Sequence, residues 1–573
     1  MLPVSVGDGI TLRERVVELA LATLLVVAIS TELLSIFHAL NPLSVALVWA
    51  GIIALWVWGL RKLEIRWKCD WWVLGLGTAS FGLWAVEGLT AIVSPPNSSD
   101  AMAYHMPRVI YWIQQRSVEF FATPYLNQIM LQPMHEFVIL HFQLLSGGDR
   151  FANSVAWLST GGYIVAASLL AKALGASSRG QALAALLAAT LPNGILQASG
   201  AKNEALLSFL LVSLVYFALV RRTWLVAMAC GLACFTKGTA FIFAAPLILL
   251  LIPRAIPPAA LLVLLINGAF FVRNIDLSGS PLGFDSAHAD GKYRWRNEYI
   301  GWQPMLSNLM RHTSEQLGAR NEGWNQAVYQ AAIQGHQVLS LQPNDPATTW
   351  PMTEFVAPRS ANHETDTNNR WHLALIFVGL AIFAWKRERI PLLILAAAAL
   401  GVLCFCLYLK WQPFMLRMWL PLFLVAVSTA ALALSRWPII VQVVVVVFLL
   451  DGCRLPLLKS WVRPLQGPQN ILQAERQDLY YNDMKTWHVR QHYDEVIATL
   501  FQSKCTEIAI DITNFQLEYP IQALLLSSRP ETRFVHVNTQ NPSRKYEHRM
   551  ASIKPCQMVC LSCDRWLLPS PPK

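Results

Sequence analysis

Five polar turns set between long apolar blocks carry the residue types that acid–base and phosphate chemistry require. The first begins Pro95-Pro96-Asn97-Ser98-Ser99-Asp100 and continues through Tyr104 to Arg108. A carboxylate at the end of an apolar block, with a cation nearby, is tuned as a general base: desolvation raises its pKa and the cation lowers it. If the chain is helical from Asp100, Tyr104 shares its face. The competing reading makes Asp100 only the N-cap of the following helix. A second turn, Gly200-Ala201-Lys202-Asn203-Glu204, places a cation and an acid side by side. In the third, Thr236-Lys237-Gly238-Thr239, Lys237 interrupts an apolar stretch from Trp224 to Ile252, which is costly unless it meets an anion such as phosphate. For Lys202, Glu204 and Lys237 the alternative is an interfacial anchor whose head snorkels to water. Arg273-Asn274 and the run from Lys410 to Arg417 complete the set, and arginine grips phosphate through two parallel hydrogen bonds where lysine acts as a point charge.

These residues are positioned by a chain of 573 residues that is 54% hydrophobic and only 14% charged, with a mean hydropathy of +0.40. Such a composition excludes a water-soluble globular enzyme and points to a mainly α, polytopic membrane protein. Blocks of helical length predict thirteen spans, near 16–37, 43–60, 71–94, 153–171, 181–197, 204–220, 224–236, 239–252, 257–272, 372–385, 390–409, 417–434 and 438–452. The first is too long, and lacks a small-residue cleavage site, for a signal peptide. With the N-terminus cytoplasmic, every inner connection collects basic residues: Arg13 and Arg15; Arg61, Lys62, Arg66 and Lys68; Lys172 and Arg179; Arg221 and Arg222; Arg254; Lys386, Arg387 and Arg389; and Arg436. Those connections hold 15 Lys and Arg against 6 Asp and Glu, so nearly all of the net charge of +10 is an orientation signal rather than a nucleic-acid surface. Residues 1–452 are expected to form the transmembrane domain, with outer loops 95–150 and 273–371. Residues 109–121, aromatic and amphipathic, are expected in the interface plane. The loop 285–371, with His312, His363, Glu364, Asp366 and Trp371, is expected to face an acceptor, and His135-Glu136 to line the same cavity or the surface.

Residues 453–573 change composition, and short β-type runs at 507–510, 534–537 and 558–561 alternate with helical stretches near 485–502 and 518–527. They read as a small extracytoplasmic α/β domain without a phosphate-binding glycine loop. Its four cysteines, Cys505, Cys556, Cys560 and Cys563, leave disulfides, free thiols or zinc open, although no histidine lies in register for zinc. Asn97-Ser98-Ser99 is a glycosylation sequon, but a glycan there would block Asp100.

The stretch from Asp100 to Lys237, with Arg273-Asn274 and the Lys410-to-Pro421 segment, resembles the integral-membrane glycosyltransferases of the C superfamily, and most closely bacterial members, of unassigned acceptor, of the branch of protein O-mannosyltransferases and lipid A aminoarabinose transferases. The family's first outer loop carries an acidic pair with a tyrosine four residues after the first acid. Asp100 and Tyr104 match this, whereas Ala101 stands where the second acid would be. The resemblance implies a polyprenyl-phosphate hexose or pentose donor and a lipid, glycan or protein acceptor outside the plasma (inner) membrane, with a divalent cation as an option and no metal ligand assigned. It implies Asp100 as the base, Glu204 as the second acidic residue of the site, Lys237 on the donor phosphate and Arg417 near the donor pocket; Arg273, Tyr104, Arg108 and Lys202 complete the candidate donor-binding set. A transporter or flippase for a lipid-linked or anionic solute is the rival, although transporters place ionisable groups near mid-membrane. A degenerate accessory membrane protein is a second.

Overall fold

The computed structural model describes residues 11–61, 70–289, 291–360, 362–366, 368–513 and 515–569. Lys62, Arg66 and Lys68, used above, lie outside them. Each of the thirteen expected spans coincides with a helix: α1 (Leu12–Ile36), α2 (Pro42–Leu60), α3 (Trp71–Val93), α4 (Ser154–Ala173), α5 (Ser178–Ala189), α6 (Glu204–Leu219), α7 (Thr223–Thr236), α8 (Thr239–Leu251), α9 (Ile256–Ser278), α10 (Arg370–Lys386), α11 (Arg389–Tyr408), α12 (Leu420–Leu434) and α13 (Ile439–Leu458). The protein is thus mainly α and polytopic, with eight helices among the described residues long and apolar enough to cross a membrane. The others are shorter, and α5 stops at Thr190, so the expected span 181–197 is a helix of 12 residues followed by a separate turn, Pro192–Gln197.

Local chemistry sets the helix starts. Thr11, Asn41, Asp70 and Ser177 each accept a backbone N–H of the first turn, and Pro42 stands where its missing N–H costs nothing. A helix apolar all round belongs inside a bundle. Accordingly every residue of α12 and all but the last of α6 are buried, so these two form the centre of the core. Both start at the same end of the bundle, and their N-terminal residues carry Glu204 and, one 3₁₀ turn ahead of α12, Arg417.

The C-terminal region contains the expected strands plus one more: β1 (Glu507–Asp511), β2 (Arg533–His536), β3 (Gln557–Cys560) and β4 (Leu567–Pro569). Their order is β2-β1-β3-β4, parallel across the first three and antiparallel at β3–β4. Helices Arg490–Gln502 and Tyr519–Ser528 supply the α component. Two disulfides close it, Cys505–Cys556 and Cys560–Cys563, so none of the four cysteines is free to bind zinc.

The domain docks on the segment 95–150. Tyr111 Oη donates to Glu518 Oε2 at 3.0 Å, and His536 Nε2 lies 3.0 Å from Glu518 Oε1. Asp149 receives Arg476, Tyr480 and Tyr519 at 2.8, 2.5 and 3.0 Å. The helix Met106–Gln115 is therefore sealed between bundle and domain, with Tyr111 and Trp112 buried, and does not lie in the membrane interface as its amphipathic pattern suggests. The pattern reports an apolar face without saying whether lipid or protein covers it.

Candidate active site

Asp100 leads into a π-helical turn, Ala101–His105, that continues as the helix Met106–Gln115. Such turns re-aim side chains and recur at functional sites. Asp100 is not the cap: Ser98 Oγ accepts the Ala101 N–H, which leaves the Asp100 carboxylate to meet Arg417 Nη2 across the bundle. Arg417 Nε lies 2.9 Å from Glu204 Oε1, and Lys237 Nζ lies 3.0 Å from the same oxygen and donates to Asn203 Oδ1 at 2.9 Å. Four of the five polar turns thus meet in one cluster of two carboxylates and two cations.

Burial separates the roles. Glu204 is 2% exposed, whereas the side chains of Asp100 and Lys237 are 18% and 14% exposed. Glu204 is therefore the buried counter-ion that fixes both cations, while Asp100 and Lys237 keep partial exposure. An acid in the first turn of α6 also sits at the favourable end of the helix dipole. Burial acts to raise the Asp100 carboxyl, but the charges of Arg417 and Lys202 outweigh it and hold the group below the ordinary aspartate value. Asp100 is thus an anion throughout the neutral range. Tyr104 stands beside it, edge-on to the Tyr125 ring.

A second layer surrounds the cluster. Lys202 Nζ lies 3.1 Å from Glu364 Oε1, and Arg463 Nη2 donates to Glu364 Oε2 at 2.5 Å. Arg463 also donates to Asn97 Oδ1 at 3.0 Å, and the Asn97 amide donates to the carbonyls of Val462 and Leu479. Asn97 is fully buried, so the sequon is closed to modification in the folded chain. Asp483 accepts the Ser99 N–H at 2.6 Å and holds His363 Nε2 at 2.8 Å. Burial lowers the His363 pKa, but the Asp483 partner more than offsets this and leaves it raised.

Several expected residues fall outside the cluster. Arg273 is clamped by both oxygens of Glu32, at 2.6 and 2.8 Å, so its charge is spent on holding α9 to α1 rather than presented to a phosphate. Arg108 is fully buried and donates to the carbonyls of Asn127, Gln128 and Leu131 and to Glu136, which makes it a strut of the loop. Glu136 is bound by His105 at 2.6 Å as well; burial raises its carboxyl, but these partners hold it at about 2. His135 is fully buried, and its pKa is depressed to about 4 by burial. His312 packs against Trp419 and Phe405 instead of facing an acceptor, and Trp371 lies on α10 against Phe448. Asp366 accepts the His363 N–H at 3.2 Å. Sequence reasoning missed Arg463, Asp483 and Asn203. Asn203 had a signal in standing between Lys202 and Glu204, whereas the other two lie in polar segments where one charge looks like any other.

Chemically, the cluster offers a partly exposed carboxylate to take a proton and two fixed cations to receive a developing anion. Among the described residues no group of three or more His, Cys, Asp or Glu could hold a metal ion, and both carboxylates of the cluster are already engaged by cations.

No family model matches the sequence, and no curated protein matches it. Among solved structures the chain is similar to ArnT from Cupriavidus metallidurans bound to undecaprenyl phosphate, with 13% identity, a TM-score of 0.41, and coverage of 82% of this chain and 90% of that one. It is also similar to the oligosaccharyltransferase AglB from Archaeoglobus fulgidus in complex with an inhibitory peptide and a dolichol-phosphate, with 13% identity, a TM-score of 0.43, and coverage of 86% and 70%.

Proposed function

We propose that this protein is a glycosyltransferase that moves a hexose or pentose from a polyprenyl phosphate to a hydroxyl-bearing acceptor at the outer face of the membrane. The observation that supports it most is the convergence of Asp100, Glu204, Lys237 and Arg417, from four separate segments, at one end of an apolar bundle. In the reaction the bond between the anomeric carbon and the phosphate oxygen breaks, and the acceptor oxygen bonds to that carbon. The acceptor proton passes to the Asp100 carboxylate, and the bonding electrons leave with the polyprenyl phosphate, whose charge Lys237 and Arg417 neutralise. Glu204 keeps the two cations in place between turnovers, and Lys202, held by Glu364, lies close enough to add to the field at Asp100. A phosphate is a fair leaving group once neutralised, so positioning and charge supply most of the rate.

Orientation follows the basic connections: N-terminus cytoplasmic, cluster and C-terminal domain outside the plasma membrane. The cluster stands at the end of the bundle, covered by an outer domain, which favours this reading over transport.

The test is turnover. Vesicles containing the purified chain and a radiolabelled polyprenyl-phosphate sugar should lose label from the lipid phosphate and gain it in a second product when membrane-extracted acceptor is supplied. Label that crosses the bilayer while still attached to the lipid identifies a flippase and rejects the reading.

A further inference from the structure

A cavity of about 1120 Å³ lies between α1 and α2 on one side and α3, α4 and α5 on the other. It runs along α4 from Val155 to Ser168, roughly 20 Å at 1.5 Å per residue. α4 starts at the cluster end, where Asn153 donates to the carbonyls of Ser94 and Pro95, so Ser168 marks the opposite end of the bundle.

The lining carries charge at one end only. Along the body, polar side chains are satisfied internally: Thr23 Oγ1 accepts from Trp56 Nε1 at 2.9 Å, Ser159 donates to the Val155 carbonyl and Ser80 to that of Leu76. At the far end, Arg13 Nη1 donates to Ser168 Oγ at 2.9 Å and Arg13 Nη2 to Gln181 Oε1 at 2.7 Å. Both partners are neutral, and among the described residues no carboxylate reaches Arg13, whereas neighbouring Arg15 is paired with Glu18 at 2.9 Å. A cation at the end of an apolar cavity within a membrane bundle is costly unless it meets an anion. An apolar void this large forfeits the contacts that close packing would supply.

We infer that this cavity is a binding site for an anionic glycerophospholipid, with its phosphate on Arg13 and its acyl chains along α4. One amphiphile satisfies both ends: hydrocarbon against Gly162, Leu158 and Phe142, and an anion on the guanidinium. The site is separate from the cluster and stands whether or not the glycosyltransferase reading holds.

The experiment is native mass spectrometry of the full chain ejected from nanodiscs of equal parts phosphatidylglycerol and phosphatidylcholine. Bound phosphatidylglycerol should exceed phosphatidylcholine about fivefold, the ratio expected from one basic residue near a lipid headgroup. Arg13→Lys should keep the preference and Arg13→Gln should abolish it. Gly77 lines the cavity, and a Cβ there meets nothing within 4 Å, so Gly77→Phe should fill the space without strain and reduce retention of both lipids. Equal retention of the two lipids by the natural chain overturns the inference, as does retention unaltered by Gly77→Phe. These two arms decide the matter even if Arg13→Gln fails to insert.

Discussion

A single oxygen, Glu204 Oε1, holds two cations from different segments, and this sharing makes the cluster a unit. Removing one member of a buried ion pair leaves the partner's charge uncompensated, which typically costs about 3–5 kcal/mol. Glu204→Gln should therefore lower both stability, read as thermal unfolding in detergent, and transfer. Lys237→Met leaves Glu204 held by Arg417, so it should cost less stability than Glu204→Gln but slow transfer about 100-fold, the usual loss when one donor to a developing anion is removed. The pH dependence follows from Asp100, whose folded pKa lies below its unfolded value of about 3.9. Its contribution to stability is present above that unfolded value and is lost as pH falls through the folded one, and the base form persists over the same range. Arg417→Gln removes the main cation opposing desolvation, so the acid limb of kcat/KM should move upward by about one pH unit or more. An acid limb that stays put would separate Asp100 from the catalytic step. Asp100, Glu204, Lys237 and Arg417 are visible in the sequence because an ionisable group at the edge of an apolar block is expensive and must have a reason. The same logic selects Arg273, whose reason is Glu32, 241 positions away on α1, and no spacing rule connects the two.

At the scale of elements, the spans other than 181–197 were legible because hydrophobic blocks are continuous, and three of the strands because their β-type runs stand between polar turns. Two features were not. The helix Met106–Gln115 shows an apolar face whose cover, the C-terminal domain, lies some 400 positions away. The segment Asn97–Ser99 looks like an exposed sequon but is gripped by Arg463 and Asp483. This grip makes the domain a support for the Asp100 loop. Asp483→Ala should loosen residues 95–100, seen as faster hydrogen exchange there, and should lower transfer without changing the unfolding of the bundle. The His363–Asp483 pair adds a sign. The folded His363 pKa is raised, so its contribution is complete below about 6.5, the unfolded value, and fades as pH rises through the folded one. Protection of this loop should weaken across that window. Cys505–Cys556 closes a loop of separation 51, worth about 4 kcal/mol in the chain-entropy account. Reduction should accordingly destabilise the sheet domain before the helices.

For the whole molecule, charge is distributed by the end of the bundle. The basic connections gather at one end of the bundle, while the acids and cations of the cluster, Glu364, Arg463 and the docked domain gather at the other. Arg254→Cys and Lys485→Cys should each add labelling by a membrane-impermeant maleimide over that of the natural chain, from opposite sides of sealed vesicles. The most direct test of the central claim is transfer by Asp100→Asn in a reconstituted membrane with a polyprenyl-phosphate sugar. The variant keeps the shape of the side chain but cannot take a proton, so it should insert and fold yet lose transfer by 100-fold or more, about the range for a general base. Full transfer by folded Asp100→Asn would contradict the account.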